Sequence, residues 1–422
     1  MGIMTLKGGK SLLGDVEVSG AKNSALKVLI ASLFSNEEIT ISNIPKISSI
    51  SNEIKIMESL GSRIEFYNDN FLKIDNSKLS NFEIPIELGK NLNTSYLFAG
   101  PLLYRFGEAK IPMPDNGIES IDKFLNTWAL LNIEINFDDE FIYLRSDNSR
   151  PSELEILNSS HMATDNAILS SIFLNGTSRI INISEAIEVK DLIDFCNLIG
   201  AQIEYENKKV LRIIGKNHFR GTNFEVVSEL SEVVFFTVLS LITNGNIVIR
   251  NIDKSHLSFL MSFLNKIEAN YEFTTNNELR VWKKSGKLKS FEITASNYPN
   301  ITTDFIPYFI VLALFCEGES RIYDYSYKNK FEYIYQLNKF NSKIKIFEGI
   351  KDYEKCEIVV NNQEYLNISK YKISSFYNGI VFFLLAMGLD SDTEFLNYEL
   401  LESEFEKILP KVVKLGADVS YA

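Results

Sequence analysis

The chain has 422 residues, with 43 Lys plus Arg against 55 Asp plus Glu for a net charge of −12, and is 45% hydrophobic and 23% charged. That length exceeds one ordinary core and points to two or three domains, while the composition excludes disordered and fibrous classes. The negative field repels polyanions, so no nucleic-acid partner is expected.

Three cysteines (Cys196, Cys316, Cys356) and three histidines (His161, His218, His256) lie far apart, so neither a disulfide framework nor a zinc or histidine metal cluster is readable. The first residues lack a signal-peptide core, and the apolar run 380–387 is too short for a bilayer, so the expectation is cytoplasmic, with no membrane partner. Any chemistry then rests on Lys, Asp, Glu or backbone donors.

In chain order, residues 15–18 alternate as a strand and lead through Ser19-Gly20-Ala21-Lys22-Asn23-Ser24 into an apolar helix over 25–34. A turn and a short β-patterned run follow at 35–41, and the same pairing recurs at 106–111, 175–180, 244–249, 317–322 and 390–395, about every 70 residues. Apolar helices precede these turns at 163–174, 233–242 and 306–315 as well. After the turns, second helices close at Gly61, Gly200 and Gly416, where glycine supplies the left-handed cap, before alternating strands. A unit of this kind cannot bury its faces alone. Six copies therefore predict two globules of three, with a boundary near 227–232 and a ligand cleft between them.

Several segments carry candidate chemistry. The small residues at 19–21 let backbone N–H groups and the Lys22 ammonium approach an anion at the positive end of the first helix; a capped helix start with a solvated lysine is the alternative. Asp304, in Asn300-Ile301-Thr302-Thr303-Asp304, precedes another apolar helix and reads as a base or as a helix cap. Glu188, Glu229 and Glu232 read as ligand contacts or as solvated carboxylates. Ser159-Ser160-His161 offers ligand contacts or an N-cap cluster. The aromatic-rich stretches 323–327, 331–335 and 376–383 fill core by default, or cover a cleft.

Ser19-Gly20-Ala21-Lys22-Asn23-Ser24-Ala25, with Ile41-Ser42-Asn43-Ile44-Pro45, Gly100-Pro101-Leu102-Leu103, Ile187-Glu188-Val189-Lys190-Asp191 and Thr303-Asp304 in kept order, resembles the enolpyruvyl transferase family, in particular the UDP-N-acetylglucosamine 1-carboxyvinyltransferases. The resemblance implies an α/β (α+β) fold, a two-domain inside-out α/β barrel of six βαβαββ units. It places one domain at 21–228 and the other at 1–20 plus 229–422. It also implies transfer of the enolpyruvyl group of phosphoenolpyruvate to a sugar hydroxyl, with no cofactor and a small anionic substrate such as a UDP-sugar.

By position, the resemblance makes Lys22 the contact to the reacting anion, Asp304 the base, and Asn23, Asp122, Ser160 and Glu229 substrate contacts. Asn329 and Lys330, within Lys328-Asn329-Lys330, stand at a further substrate position. Asp115 replaces the acid of the family's mobile loop, or simply forms a turn with Asn116-Gly117. The family's donor-binding arginines are replaced: Asn93 and Glu119 stand at two positions, and 373–406 holds no Lys or Arg, with Ser403 at the last of them. Two functions stay open: a divergent carboxyvinyl transferase, or a non-catalytic paralogue that keeps the scaffold to bind a ligand or a protein.

Overall fold

The computed structural model describes residues 2–68, 70–90, 92–115, 117, 121–283, 286–325, 331–347, 356–362 and 366–422. Contacts divide the chain into two compact units, Gly20–Val227 and Met1–Ser19 with Ser228–Ala422. The first is thus inserted in sequence between the strand Leu13–Glu17 and the helix Leu230–Ile242 of the second.

Within Gly20–Val227 the repeat is clearest at its third copy: strand Glu153–Glu155, helix His161–Ser171, strand Thr177–Ile181, helix Ile187–Leu198, then the hairpin Gln202–Asn207 and Val210–Ile214. The central strand pairs in parallel with Glu153–Glu155 and antiparallel with Val210–Ile214. Leu154, Ile180, Leu211 and Ile213 all point to the buried face, as the period of two demands. A second sheet of the same design joins Ile39–Ser42 to Phe71–Asp75 and Arg63–Asn68. Its parallel edge strand, Asn223–Glu225, comes from the end of the unit and closes the cycle of repeats. The third sheet holds Glu108–Pro112, Phe141–Arg145 and Glu134–Phe137, with a parallel bridge from Glu83 to Lys110.

The other unit repeats the pattern. Its central strands Asn246–Arg250, Glu319–Asp324 and Asp392–Leu396 each pair in parallel with one short strand and antiparallel with another. In the last sheet the antiparallel partner is the N-terminal strand Ile3–Lys7. The α/β class and the six repeats expected from the sequence are therefore present, three to a unit, with each expected turn-and-strand segment supplying one central strand.

The helices after the parallel edge strands lie inside. Leu230–Ile242, Ile306–Leu314 and Phe376–Gly388 pack on one another, and almost every residue of each is buried. Such helices are apolar all round and are stable only as a core. Gly61, Gly200 and Gly416 end the second helices of three repeats with φ between 103° and 111°, a backbone region that only glycine enters freely. Among the described residues no helix is long and apolar enough to cross a membrane.

Candidate functional site

The two units carry separate parts of the predicted constellation. In Gly20–Val227 the start of the helix Lys22–Ser32 is built by close backbone approach. A Cβ on Gly20 would run into the carbonyl oxygen of Asn43, so only glycine fits. Ala21 donates its N–H to the Val227 carbonyl at 2.7 Å and forms the helix N-cap without a side-chain cap bond. The first turn has no acidic residue, and Lys22 and Asn23 are its first two residues, half-buried and exposed respectively. The helix start therefore keeps its partial positive charge. The capped-start alternative does not describe it.

Next to this start, Asp191 Oδ2 accepts hydrogen bonds from the Ser24 hydroxyl and from the Val227 N–H, the latter at 3.1 Å. Burial pushes the Asp191 carboxyl up to about 6, while those two hydrogen bonds pull against the rise. One turn on, Lys27 pairs with Asp165 at 2.6 Å, both essentially out of solvent, and its Nζ lies 3.4 Å from His161 Nδ1. Burial raises the Asp165 carboxyl and the Lys27 charge opposes it. Sequence reasoning passed over Lys27 and Asp165; a charged residue inside an otherwise apolar helix was the available signal.

The other predicted positions in this unit have local roles. Ser160 caps the helix His161–Ser171 by accepting from the Ala163 N–H at 3.4 Å. Asp122 is exposed in the first turn of the helix Asp122–Leu130. Asp115 is exposed and pairs with Lys90 at 2.9 Å, while Gly117 donates to the Pro114 carbonyl at 3.0 Å, which is the turn expected there. At the first position where the resemblance puts a donor-binding arginine, Asn93 opens the 3-10 segment Asn93–Phe98. Its neighbour Thr94 donates a hydroxyl to Glu53 at 3.1 Å, and burial pushes the fully buried Glu53 carboxyl up to about 8. Glu53 was not a sequence candidate.

In the other unit, Asp304 lies in the 3-10 turn Thr303–Phe305 that feeds the helix Ile306–Leu314, with no side-chain cap bond at either start. Asp304 Oδ1 accepts from the Tyr377 hydroxyl at 3.3 Å. Although Tyr377 is 38% exposed, partial desolvation of its hydroxyl and then the charges of Asp304 and Glu404 hold the phenol above its ordinary range, with Glu229 adding to them. Asp304, Glu229, Glu404 and Tyr377 therefore share one neighbourhood. Glu404 and Tyr377 were missed, Tyr377 because its aromatic stretch reads as core.

Glu229 is the N-cap of Leu230–Ile242, accepting from the Ser231 N–H at 3.1 Å. Glu232 overturns the expectation of a solvated carboxylate: it is wholly buried, pairs with Lys411 at 2.7 Å and accepts from the Ser19 N–H at 3.1 Å. Ser403 turns its hydroxyl onto the Leu400 carbonyl at 2.7 Å. Asn329 and Lys330, with Lys328, lie outside the described residues, as does Glu119.

The family model described as EPSP synthase (3-phosphoshikimate 1-carboxyvinyltransferase) matches residues 6–412. The UDP-N-acetylglucosamine 1-carboxyvinyltransferase of Finegoldia magna is 28% identical over 424 residues, covering 99% of this chain and 98% of that protein. A Carboxydothermus hydrogenoformans protein, UDP-N-acetylglucosamine 1-carboxyvinyltransferase 1, is 30% identical over 343 residues, 80% of each chain. Among solved structures, the enolpyruvyl transferase NikO from Streptomyces tendae superposes with a TM-score of 0.88 at 18% identity, covering 100% of this chain and 99% of that one. EPSP synthase from Acinetobacter baumannii gives 0.81 at 12% identity, with both chains fully covered. At these identities the two structures speak for the fold.

Proposed function

Because this chain belongs to the EPSP synthase (3-phosphoshikimate 1-carboxyvinyltransferase) family of enolpyruvyl transferases, we propose that it is a divergent, cytoplasmic carboxyvinyl transferase acting on a nucleotide-sugar or related anionic acceptor. The observation that carries this reading is the start of the Lys22–Ser32 helix, which keeps its positive end uncapped with Lys22 and Asn23 as its first residues. A helix N-terminus offers backbone N–H groups and a partial positive charge to an anion.

In this reading Asp304 takes the proton of the acceptor hydroxyl, whose oxygen attacks the central carbon of the enolpyruvyl donor while an acid, Asp115, protonates the methylene carbon. The tetrahedral adduct then collapses with loss of phosphate, restoring the vinyl double bond as the proton leaves. Lys22 holds the departing anion. Asn23, Asp122, Ser160, Glu229, Asn329 and Lys330 are assigned to the substrates. Incubation with phosphoenolpyruvate and UDP-N-acetylglucosamine, followed by measurement of released phosphate, tests the reading. Release that stops in Asp304→Ala supports it, and no release from any UDP-sugar acceptor refutes it.

A second reading, a non-catalytic paralogue that binds a ligand or protein, is favoured by one specific feature. Where the family resemblance puts a donor-binding arginine stands Asn93, beside a buried Glu53 and Thr94 pair. A dianionic phosphate loses its paired guanidinium there. UDP-sugar binding without turnover would select this reading.

A further inference from the structure

We propose that Asp191 is the positioning residue for Lys22: its carboxylate closes a ring of hydrogen bonds, from Ala21 through Val227 and Asp191 to Ser24, that grips the first turn of the helix Lys22–Ser32. The inference rests on the reading of Lys22 as the contact to the departing anion. Asp191 Oδ2 accepts from the Ser24 hydroxyl and from the Val227 N–H, the latter at 3.1 Å. The Val227 carbonyl in turn accepts from the Ala21 N–H at 2.7 Å. Residues 21 and 24 are thereby tied to one carboxylate by two routes, and Lys22 and Asn23 lie between the ties.

Ala21 makes no side-chain bond to the helix end, and a helix start without such a bond frays more readily. An acid in the first turn could supply the bond, but it would take up N–H groups and offset the partial positive charge that an anion meets there. Asp191 holds the turn without using those groups, because neither of its donors is an N–H of the helix. The same two bonds favour its charged form against burial, so the carboxylate and its donors stabilise one another.

Both sides of the ring are rooted. Asp191 is the fifth residue of the helix Ile187–Leu198, whose Val189, Leu192 and Ile193 are buried and which packs along Lys22–Ser32. Val227 follows the strand Asn223–Glu225, which pairs in parallel with Ile39–Ser42. Between them, the Val226 N–H donates to the Ser42 carbonyl at 3.1 Å, and the Val226 carbonyl accepts from Asn43 Nδ2 at 2.8 Å. A clamp fixed to a helix on one side and a sheet on the other keeps the first turn ordered before the anion arrives, which removes that ordering cost from binding.

The test titrates inorganic phosphate into the full chain by calorimetry, comparing wild type, K22A, D191A, D191N and the double variant K22A/D191A. D191A should weaken phosphate binding about fivefold, whereas D191N, which keeps an oxygen to accept from Ser24 and Val227, should stay within about twofold of wild type. In the K22A background the Asp191→Ala change should alter affinity by less than about 1.5-fold, because the ring then has no ammonium to place. Amide exchange in D191A should quicken at Ala21 and stay unchanged in the strand Thr177–Ile181. Phosphate bound no more tightly by wild type than by K22A overturns the reading of Lys22, and the proposal falls with it. If K22A is weakened but D191A is not, or if D191A weakens binding equally in both backgrounds, the reading of Lys22 stands and Asp191 is not its positioning residue. Should D191A fail to fold, S24A enters the same cycle in its place, with binding about threefold weaker expected and unchanged binding overturning the proposal.

Discussion

Lys27 Nζ and Asp165 Oδ2 are 2.6 Å apart with 1% and 0% of their side chains exposed, on the helices Lys22–Ser32 and His161–Ser171. Both ions have given up their hydration, so each depends on the other. Replacing Lys27 by Met strands the Asp165 carboxylate and should cost about 3–5 kcal/mol in urea unfolding. The double change Lys27→Met with Asp165→Leu should recover most of that loss, because an apolar pair of similar size carries no desolvation cost. A double variant as unstable as the single one would contradict this account.

Glu53 gives a pH dependence of definite sign. Its carboxyl is raised by burial from the ordinary 4.5 to about 8, so the folded state keeps a proton that the unfolded chain has lost. Between those values the native state binds more protons, and stability falls as pH rises, by about 1.4 kcal/mol per pH unit at most from this one group. The contribution is fully favourable below pH 4.5 and fully lost above pH 8. Glu53→Gln keeps a side-chain oxygen for the Thr94 hydroxyl and removes the titration. Its melting temperature should match wild type near pH 5 and exceed it at pH 8.

At Gly20 a methyl group would meet the backbone carbonyl of Asn43, which cannot swing away as a side chain would. Gly20→Ala should therefore shift the backbone before Lys22 and lengthen the 2.7 Å bond from Ala21 to Val227. We expect a loss of about 1–3 kcal/mol and faster amide hydrogen exchange at Ala21, with exchange in the strand Thr177–Ile181 unchanged. Unaltered exchange at Ala21 would show that the segment tolerates the added carbon.

The repeats were legible because each is a local signal: a Gly, Asn or Asp turn, then alternation, after a helix apolar on every side. The sites of buried charge were not, because partners meet across the sequence. Thr94 and Glu53 are 41 residues apart and Lys411 and Glu232 are 179 apart. Local pattern suggested water around Glu232, since nothing within a helical turn revealed Lys411. Lys22 and Asp304 became candidates through a short motif and its order, not through periodicity. Tyr377 hid in a stretch whose other aromatics, such as Phe382 and Phe383, do fill the core.

The pair Lys411 and Glu232 should respond asymmetrically to loss of either partner. Glu232 is 0% exposed and Lys411 17%, and Lys411 also donates to the Ser19 hydroxyl at 2.7 Å. Lys411→Ala leaves a carboxylate that water cannot reach, whereas Glu232→Gln leaves an ammonium with some solvent and one remaining acceptor. The first should cost more than the second, by about 1–2 kcal/mol at pH 7. The deficit should also depend on pH in a fixed direction. Burial already raises the Glu232 carboxyl and Lys411 opposes the rise. Without Lys411 the folded protein retains this proton further, so the variant loses stability as pH climbs above the unfolded-state carboxylate range. Urea midpoints of Lys411→Ala should lie near wild type at pH 4 and well below it at pH 7. A deficit equal at both pH values would mean that lost packing of the lysine stem, not the unpaired charge, sets the cost.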